Sequence, residues 1–281
     1  MDSKYKDKYL KYKQKYIIKK FIKLQNKPLQ NKPLQNKSLN IMTYNVHCVP
    51  VIHCSKKYIE NVCNYIKILI NKYNIDIIIL TECFIKQLQN YLINILNNNN
   101  NEWNILEKCE KKHNLAFVNS GILILWKKKI KKLKTYYKHF SNCINVDCLA
   151  NKGMLYSRFV INKKYINIIG VHLQANYEKY IDYKQIQKKQ LKDIKKFYLK
   201  LREKKIIKNN EDTIICGDFN IENINIINQY LNINNITNYY INKNKKLDYF
   251  YIISNKKKII NEKILEYTNN PSDHNAIMIS Y

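Results

Sequence analysis

Polar residues stand at the ends of several short apolar runs in this sequence, where a rigid strand would hold their side chains in fixed positions. Taken singly, each has an ordinary structural explanation, such as a turn cap for Asp218 or a satisfied core histidine for His172. Six such runs in one chain are hard to explain by packing alone, so together they indicate a single site. The candidate site residues are Asn45, Glu82, His172, Asp218, Asn220, Asp248, Asp273 and His274.

These residue types predict metal-assisted phosphoryl chemistry. Carboxylate and amide oxygens are ligands that suit Mg²⁺, with Mn²⁺ as an alternative. The sequence has no C-x-x-C pair and no two histidines at i and i+4, which argues against zinc. A hard cation and one histidine would offset the charge that develops on phosphate oxygens, while a second histidine takes a proton from water.

The elements that must position these residues form an α/β pattern. Short β-branched runs alternate with longer amphipathic stretches, and several strands follow one another with no helix between them. This order predicts two packed sheets with helices outside, and not a simple doubly wound sheet. Predicted strands span 39–46, 75–81, 114–118, 121–126, 154–161, 165–172, 212–217, 247–253 and 275–281. Predicted helices span 56–73, 84–97, 184–203 and 222–231.

The 281-residue chain is long enough for one large catalytic domain, predicted at 40–281, preceded by a tail at 1–39. Twelve of the tail's residues are lysines, and four tyrosines recur among them at spacings of four, three and four. A helix with this pattern would suit contact with an anionic membrane, although a solvated helix is the alternative. A repeat of Asn-Lys-Pro-Leu-Gln then predicts a flexible linker.

The formal net charge of +29 fits nucleic acid or anionic lipid as a partner. Lys, Asn, Ile and Tyr are all abundant while Gly numbers only 4, so an AT-rich coding bias and solvated surface lysines explain much of this charge. Eight cysteines without a C-x-x-C pair predict buried free thiols. No signal peptide or membrane-spanning run is apparent, so an intracellular or virion-associated monomer is expected.

The order and spacing of these motifs resemble the endonuclease/exonuclease/phosphatase superfamily over about residues 39–281. The matching motifs are Thr43-Tyr44-Asn45, Thr81-Glu82, His172, Gly217-Asp218-Phe219-Asn220, Leu247-Asp248-Tyr249 and Ser272-Asp273-His274. Within that superfamily, Asn151-Lys152-Gly153 followed by His172-Leu173-Gln174-Ala175 is similar to the paired signature of sphingomyelinase C enzymes. The resemblance implies a DNase I-like, four-layer α/β/β/α sandwich.

The resemblance also implies a set of ligands for metal and substrate. Glu82 would be the principal Mg²⁺ ligand, with Asn45 assisting at the metal or the phosphate and Asp273 contributing near the metal. His172 would stabilise the pentacovalent phosphorus, and Asn220 would hold a phosphate oxygen. A phospholipid at a membrane surface is then the expected substrate.

The catalytic residues follow from the same resemblance. His274 would be the general base, Asp248 would orient it, and Asp218 would orient the attacking water or bind metal. The implied reaction is in-line attack of water on a phosphodiester, which releases phosphocholine and ceramide if the substrate is sphingomyelin. Asp147 is expected in a solvated loop, with a peripheral metal site as the alternative.

Two rival interpretations remain open. The first is an apurinic or DNase I-like endonuclease, which the charge favours and the Asn-Lys-Gly and His-Leu-Gln-Ala strands oppose. The second is an inactive, basic binding protein, which the presence of every expected reactive side chain opposes. The sequence departs from the sphingomyelinase pattern at Thr81 and Val171, and it shows no exposed aromatic hairpin, because Trp103 and Trp126 are isolated.

Overall fold

The computed structural model describes residues 38–49, 54–98, 102–106, 116–177, 182–232, 247–254, 261–266 and 268–281. The chain separates into two units, 1–38 and 39–281. Nearly all of the first unit lies outside the described residues, so the tail helix and the linker stay predictions. Among the described helices, none combines the length and the hydrophobicity needed to cross a membrane.

Eleven strands and four α-helices make up the described part of the second unit. The strands are β1 Asn40–Cys48, β2 Ile77–Cys83, β3 Trp103–Leu106, β4 Leu123–Lys127, β5 Lys131–His139, β6 Gly153–Ile161, β7 Lys164–His172, β8 Asp212–Asp218, β9 Asp248–Ile253, β10 Asn261–Leu265 and β11 Ala276–Ser280. The helices are α1 Lys56–Tyr73, α2 Lys86–Asn97, α3 Tyr183–Glu203 and α4 Ile224–Leu231, and a short 3₁₀ helix spans Asn145–Leu149.

The strands form two mixed sheets. The first has the order β10-β11-β1-β2-β4-β3 and the second has the order β5-β6-β7-β8-β9. Parallel pairing occurs between β1 and β2 in the first sheet and between β7 and β8 in the second, and every other described pair is antiparallel. The prediction of two sheets is therefore confirmed.

Three hydrophobic layers hold the elements together and explain the uninterrupted apolar runs. Ile77 and Ile79 of β2 pack between the sheets, whereas Ile78 and Leu80 of the same strand face α1 and α2. Strand β7 divides its side chains in the same way, between the other sheet and the layer that contains α3 and α4. A strand buried on both faces needs apolar residues at consecutive positions. The result is the predicted four-layer α/β/β/α sandwich.

Helix ends agree with the local chemistry of the sequence. The range predicted for α1 matches the structure because Ser55 caps its first turn, accepting a hydrogen bond from the Tyr58 N–H, and Asn74 ends it in a left-handed conformation. Helices α2 and α4 begin two residues later than predicted, since Ile85 and Asn223 are extended residues that precede them.

Sequence patterns missed three strands, β3, β5 and β10. Each is an edge strand of its sheet; β5 carries four lysines among its nine residues, and β10 begins with three exposed polar residues. Edge strands tolerate lysines that obscure the alternation of apolar and polar residues. The predicted strand at 114–118 lies partly outside the described residues, and Val118 makes only an isolated bridge there, to Ala150.

The expectation of eight free thiols is wrong for four of the cysteines. Disulfides join Cys48 to Cys54 and Cys143 to Cys148, with Cα atoms 5.1 Å and 5.2 Å apart. Separations of six and five residues let a loop fold back on itself, and a search for C-x-x-C spacing does not detect them. Three buried cysteines of the described residues lie outside these disulfides, namely Cys63, Cys83 and Cys216.

Substitution of Gly217 is expected to cause a large loss of stability through a local clash. It adopts φ +135°, and a Cβ added there would lie 2.1 Å from the Val171 carbonyl oxygen of β7. We expect Gly217→Ala to lower the free energy of unfolding by at least about 3 kcal/mol, because backbone atoms cannot yield as side chains do. Urea unfolding measures the loss.

The control is Gly170→Ala on the neighbouring strand β7. There an added Cβ would meet movable methyl groups of Ile79 and Ile122, each at 3.1 Å, while the Leu155 carbonyl oxygen lies at an ordinary contact distance of 3.8 Å. Its expected cost is about 1–3 kcal/mol. A Gly217→Ala loss no larger than that of Gly170→Ala would contradict the assignment of a backbone clash.

Candidate active site

The two parallel strand pairs bring most of the candidate residues to one end of the sandwich. In the first sheet, Asn45 of β1 lies beside Thr81 of β2, which precedes Glu82. In the second sheet, His172 of β7 pairs with Asp218 of β8, and Asp218 pairs in turn with Asp248 of β9. Carboxyl ends of parallel strands share one edge of a sheet, which explains this convergence.

Asn45 connects the two sheets through its amide group. Its Nδ2 donates to Glu82 Oε1 at 3.0 Å and to Asp218 Oδ2 at 2.9 Å. Its Oδ1 accepts from the His47 N–H at 2.9 Å, which fixes the direction of the amide. Asn45 is fully buried. Asn45 therefore holds the carboxylates of Glu82 and Asp218, which belong to different sheets, close to each other.

Three side chains around this link form a group that fits a divalent cation. One ligand atom from each of Glu82, His172 and Asp218 lies within 4.8 Å of the others. Within the described residues, Glu82 Oε2 and both ring nitrogens of His172 are buried and make no hydrogen bond. Buried polar atoms without partners are costly unless a ligand satisfies them. Two carboxylates and an imidazole agree with a hard or borderline cation.

Glu82 also shows backbone strain at this position. Its φ is +56°, a left-handed conformation that is uncommon for residues other than Gly, Asn and Asp. Such conformations persist where surrounding contacts enforce them, and they concentrate at functional sites. The strain therefore agrees with a functional position for the Glu82 carboxylate.

His274 and Asp248 form the second half of the site. His274 Nδ1 lies 2.6 Å from Asp248 Oδ2, and His274 Nε2 lies 4.0 Å from Asp218 Oδ2. Burial lowers the pKa of His274, but its hydrogen bond to the Asp248 carboxylate and the negative charges of Asp248, Asp218 and Asp273 outweigh burial and raise that pKa to about 10. The ring is thus oriented by one carboxylate and directs its other nitrogen toward the cluster.

The pKa of Asp218 is raised by burial and by a neighbouring negative charge. Burial raises this pKa to about 7, with the nearby Asp248 carboxylate adding to the effect and His274 and Asn45 opposing it. A bound cation would reverse this balance, because it stabilises the ionised carboxylate. The same carboxylate belongs to a second group of possible metal ligands, formed with Asp248 and His274.

Asn220 is turned toward the same region by its backbone. Its φ is +52°, its N–H donates to Asp218 Oδ1 at 2.9 Å, and its Nδ2 donates to the Leu173 carbonyl at 3.1 Å. One amide hydrogen is therefore used by the protein. A second hydrogen on Nδ2 is the group that a phosphate oxygen would need.

Asp273 lies apart from the groups that suit a metal. Its side chain is 63% exposed and pairs with His47 Nδ1 at 3.1 Å. It belongs to neither group of three metal-capable side chains in the described residues. His47 was missed because one histidine two positions after Asn45 carries no signal of its own, and Asp273 as a metal ligand stays a prediction.

Lys152 is a buried part of the site that the sequence analysis treated only as a family signature. Its Nζ donates to Asp147 Oδ2 at 2.8 Å and to the Leu173 carbonyl at 3.1 Å. Burial is the main cause that lowers the pKa of His172 well below its usual value, and the Lys152 charge adds to it, so the imidazole is neutral. The solvated loop expected at Asp147 is wrong, because this carboxylate is buried against Lys152.

A two-sheet sandwich with a carboxylate–histidine cluster at the carboxyl ends of its parallel strands defines a hydrolase of phosphate esters. The chain belongs to the Endonuclease/Exonuclease/phosphatase family, whose model matches residues 42–274.

Comparison with individual proteins adds a partial relative. Sphingomyelinase C of Bacillus cereus is 33% identical over 109 residues, which are 38% of this chain and 31% of that protein. The matched stretch therefore spans about a third of the length of the curated relative. This relation is specific to one segment and leaves the activity of the whole chain to be tested.

Solved structures share the fold across nearly their whole length. Beta toxin from Staphylococcus aureus superposes with a TM-score of 0.71 at 18% identity, covering 86% of this chain and 99% of the toxin. A second beta toxin structure, with bound magnesium ions, has a TM-score of 0.69. TDP2 from D. rerio, complexed with single strand DNA product, has a TM-score of 0.60 at 14% identity, with coverage of 87% and 99%. At these identities the likeness shows the fold alone.

Proposed function

We propose that the protein is a Mg²⁺-dependent phosphodiesterase that hydrolyses sphingomyelin, or a closely related phospholipid, to ceramide and phosphocholine. The observation that carries the proposal is the position of Asp218, which belongs both to the group with Glu82 and His172 and to the group with Asp248 and His274. A cation-binding position and a proton acceptor are therefore adjacent. That combination is what hydrolysis of a phosphate ester needs.

On the water side of the reaction, His274 acts as the general base. Asp248 holds Nδ1 at 2.6 Å, so Nε2 is left to accept the proton of the attacking water. Asp218 Oδ2, 4.0 Å from Nε2, accepts the second hydrogen bond that orients this water. The water oxygen then bonds to phosphorus as the bond to the leaving oxygen breaks.

On the phosphate side, Glu82 and Asp218 would hold Mg²⁺, with Asn45 keeping their carboxylates in place. When bound, the cation withdraws charge from the phosphate oxygens. His172 is neutral and donates one N–H to a non-bridging phosphate oxygen as negative charge develops there. Asn220 donates its second Nδ2 hydrogen to another phosphate oxygen.

The choice of a lipid rests on the segment shared with sphingomyelinase C of Bacillus cereus and on the Asn-Lys-Gly and His-Leu-Gln-Ala strands. Lys152 of the first motif and Leu173 of the second are joined by a hydrogen bond of 3.1 Å directly behind His172. The shared motifs thus form one structural unit next to the proposed phosphate position. This supports a common substrate class.

A nuclease is the second candidate. It is favoured by the net charge of +29 and by the fold shared with TDP2, whose structure holds a single strand DNA product. The surface lysines would gain affinity for any polyanion by releasing counterions. Because binding alone does not distinguish a phospholipid from a nucleic acid substrate, the rates of hydrolysis have to be compared.

A substrate panel tests the proposal. One preparation with Mg²⁺ is given sphingomyelin in mixed micelles, lysophosphatidylcholine, abasic-site DNA and a small chromogenic phosphodiester. We expect release of phosphocholine from sphingomyelin, with no cleavage of the DNA. The His274→Ala protein, purified in parallel, controls for contaminating activity.

The rival outcomes of this panel are distinct. Cleavage of abasic DNA without phosphocholine release would replace the lipid assignment with the nuclease. Inertness toward all four substrates, with and without Mg²⁺, would favour the inactive binding protein.

A further inference from the structure

The 3₁₀ helix Asn145–Leu149 reverses the usual distribution of polar and apolar side chains at a surface. Asp147 is only 4% exposed, whereas its neighbours Val146 and Leu149 are exposed, Leu149 by 46%. A buried carboxylate and an exposed apolar group are each informative exceptions to normal burial. Here both occur within one turn.

Contacts from inside hold this turn in its reversed orientation. The Asp147 carboxylate accepts hydrogen bonds from Lys152 Nζ at 2.8 Å, from the Ala175 N–H at 2.8 Å and from the Tyr177 hydroxyl at 2.6 Å. The Cys143–Cys148 disulfide closes the same segment. Rotating the apolar residues inward would break the hydrogen bonds of a buried charge, so their exposure is built into the fold.

A second segment extends the apolar surface. The Phe117 N–H donates to the Leu149 carbonyl at 2.8 Å, and Phe117 is 77% exposed, the highest value among the large hydrophobic residues that the structure describes. Tyr177 is also exposed and is tied to Asp147 through its hydroxyl. We call Phe117, Val146, Leu149 and Tyr177 the apolar rim.

The apolar rim is connected directly to the proposed active site. Lys152, which holds Asp147 beneath the rim, also donates to the carbonyl of Leu173. Leu173 follows His172, and its carbonyl accepts a second hydrogen bond from Asn220 Nδ2. One continuous chain of buried polar contacts therefore runs from the rim to two residues that would contact the phosphate.

We infer that the apolar rim inserts into the surface of a phospholipid bilayer and seats the active site at the depth of the lipid phosphates. This inference rests on the proposed function, since it assumes that the phosphodiester lies in a membrane. Apolar groups that enter about 5–10 Å below the headgroups would lie beside that phosphate. Tyr177 suits the boundary, with an aromatic ring and a polar tip.

The rim is assembled from residues about 30 positions apart in sequence, so no single window of the sequence reveals it. It differs in this respect from the single aromatic hairpin sought in the sequence, and it contains neither tryptophan. A bilayer is favoured over a protein partner because buried polar contacts join the rim to the residues that would contact the phosphate, where a bound protein would compete with substrate.

The test measures binding separately from turnover. Full-length wild-type protein and the variant Phe117→Ser/Leu149→Ser are sedimented with vesicles of sphingomyelin and phosphatidylcholine in EDTA. Zwitterionic vesicles and about 0.5 M NaCl, where the Debye length is about 4 Å, suppress binding through lysines. The matched control is Leu199→Ser, because Leu199 of α3 is also 46% exposed.

We expect the double variant to lose about tenfold or more in vesicle partition, and Leu199→Ser to change it less than twofold. Turnover of a water-soluble phosphodiester should be equal in all three proteins. Wild-type partition by the double variant, or an equal loss in Leu199→Ser, would overturn the inference. Should the double variant fail to fold, Val146→Ser is judged by the same criteria.

The outcome separates the rim from the proposed function. Vesicle binding that depends on the rim, without release of phosphocholine, would leave the membrane surface standing and reject sphingomyelin as substrate. Phosphocholine release from vesicles that is unchanged by the double variant would support sphingomyelin as the substrate and reject the apolar rim as the membrane contact.

Discussion

Replacing His274 with alanine is expected to lower kcat for phosphodiester hydrolysis by about 10²–10⁴-fold, the range for removal of a general base. The reason is geometric, since Asp248 occupies Nδ1 and leaves Nε2 as the nitrogen that faces Asp218. Initial rates on a small chromogenic phosphodiester give kcat, and circular dichroism reports on the fold. His139→Ala, on the edge strand β5, is the matched histidine control and should retain wild-type kcat.

The role of Asp248 can be separated from that of His274 in the same assay. Asp248 is a positioning residue, so Asp248→Asn should lower kcat less than His274→Ala, and the double variant should be no worse than His274→Ala alone. Additive losses would contradict action through His274.

The pH profile gives a second signature of this pair. The Asp248 charge raises the pKa of His274, and only neutral His274 accepts a proton. Removing that charge in Asp248→Asn lowers the pKa, so the acid limb of the kcat profile should move to lower pH. A limb that stays in place would show that another group controls it.

Replacing Glu82 with glutamine is expected to remove Mg²⁺ activation. We expect activity at saturating wild-type Mg²⁺ to fall by about 100-fold or more, since changes even in second-shell partners cost about 10–100-fold. Wild-type protein should lose its activity in EDTA and regain it with Mg²⁺. Glu102→Gln, at an exposed glutamate outside both metal-capable groups, is the control and should behave as wild type.

Thermal unfolding tests the same site without turnover. Mg²⁺ should raise the Tm of the wild type, because a ligand that binds only the folded state stabilises it, and should leave the Tm of Glu82→Gln unchanged. Without metal, the variant should be the more stable protein, since it removes a negative charge that lies beside the buried Asp218 carboxylate. A Mg²⁺-dependent Tm shift of wild-type size in Glu82→Gln would place the cation elsewhere.

The strand ends could be predicted because buried strands leave a plain signal. Ile77–Cys83 is apolar at consecutive positions because it packs on both faces, and the polar residue near its end, Glu82, then stands out. Strand β7 shows the same pattern, an apolar run that ends in a polar residue, His172. Parallel pairing of such strands implies that their ends meet, which is why the cluster was predictable without coordinates.

The rest depended on contacts between residues distant in the chain. The burial of Asp147 is set by Lys152 and by Tyr177, 30 residues later, so the loop alone resembles a solvated turn. Asp273 pairs with His47 and belongs to neither metal-capable group of the described residues. Apolar periodicity carries no information about such side-chain directions. Sequence patterns therefore indicated which side chains cluster and missed the polar contacts that surround them.

The amide of Asn45 determines the stage of folding at which the proposed centre can form. Because it bridges carboxylates from separate sheets, neither sheet can build the proposed centre by itself, and the centre forms only once the two sheets have docked. Gly170 permits their close approach, because a Cβ added there would lie only 3.1 Å from methyl groups of Ile79 and Ile122. The geometry of the proposed centre therefore depends on the inter-sheet spacing, and any change that widens that gap would carry Glu82 away from Asp218.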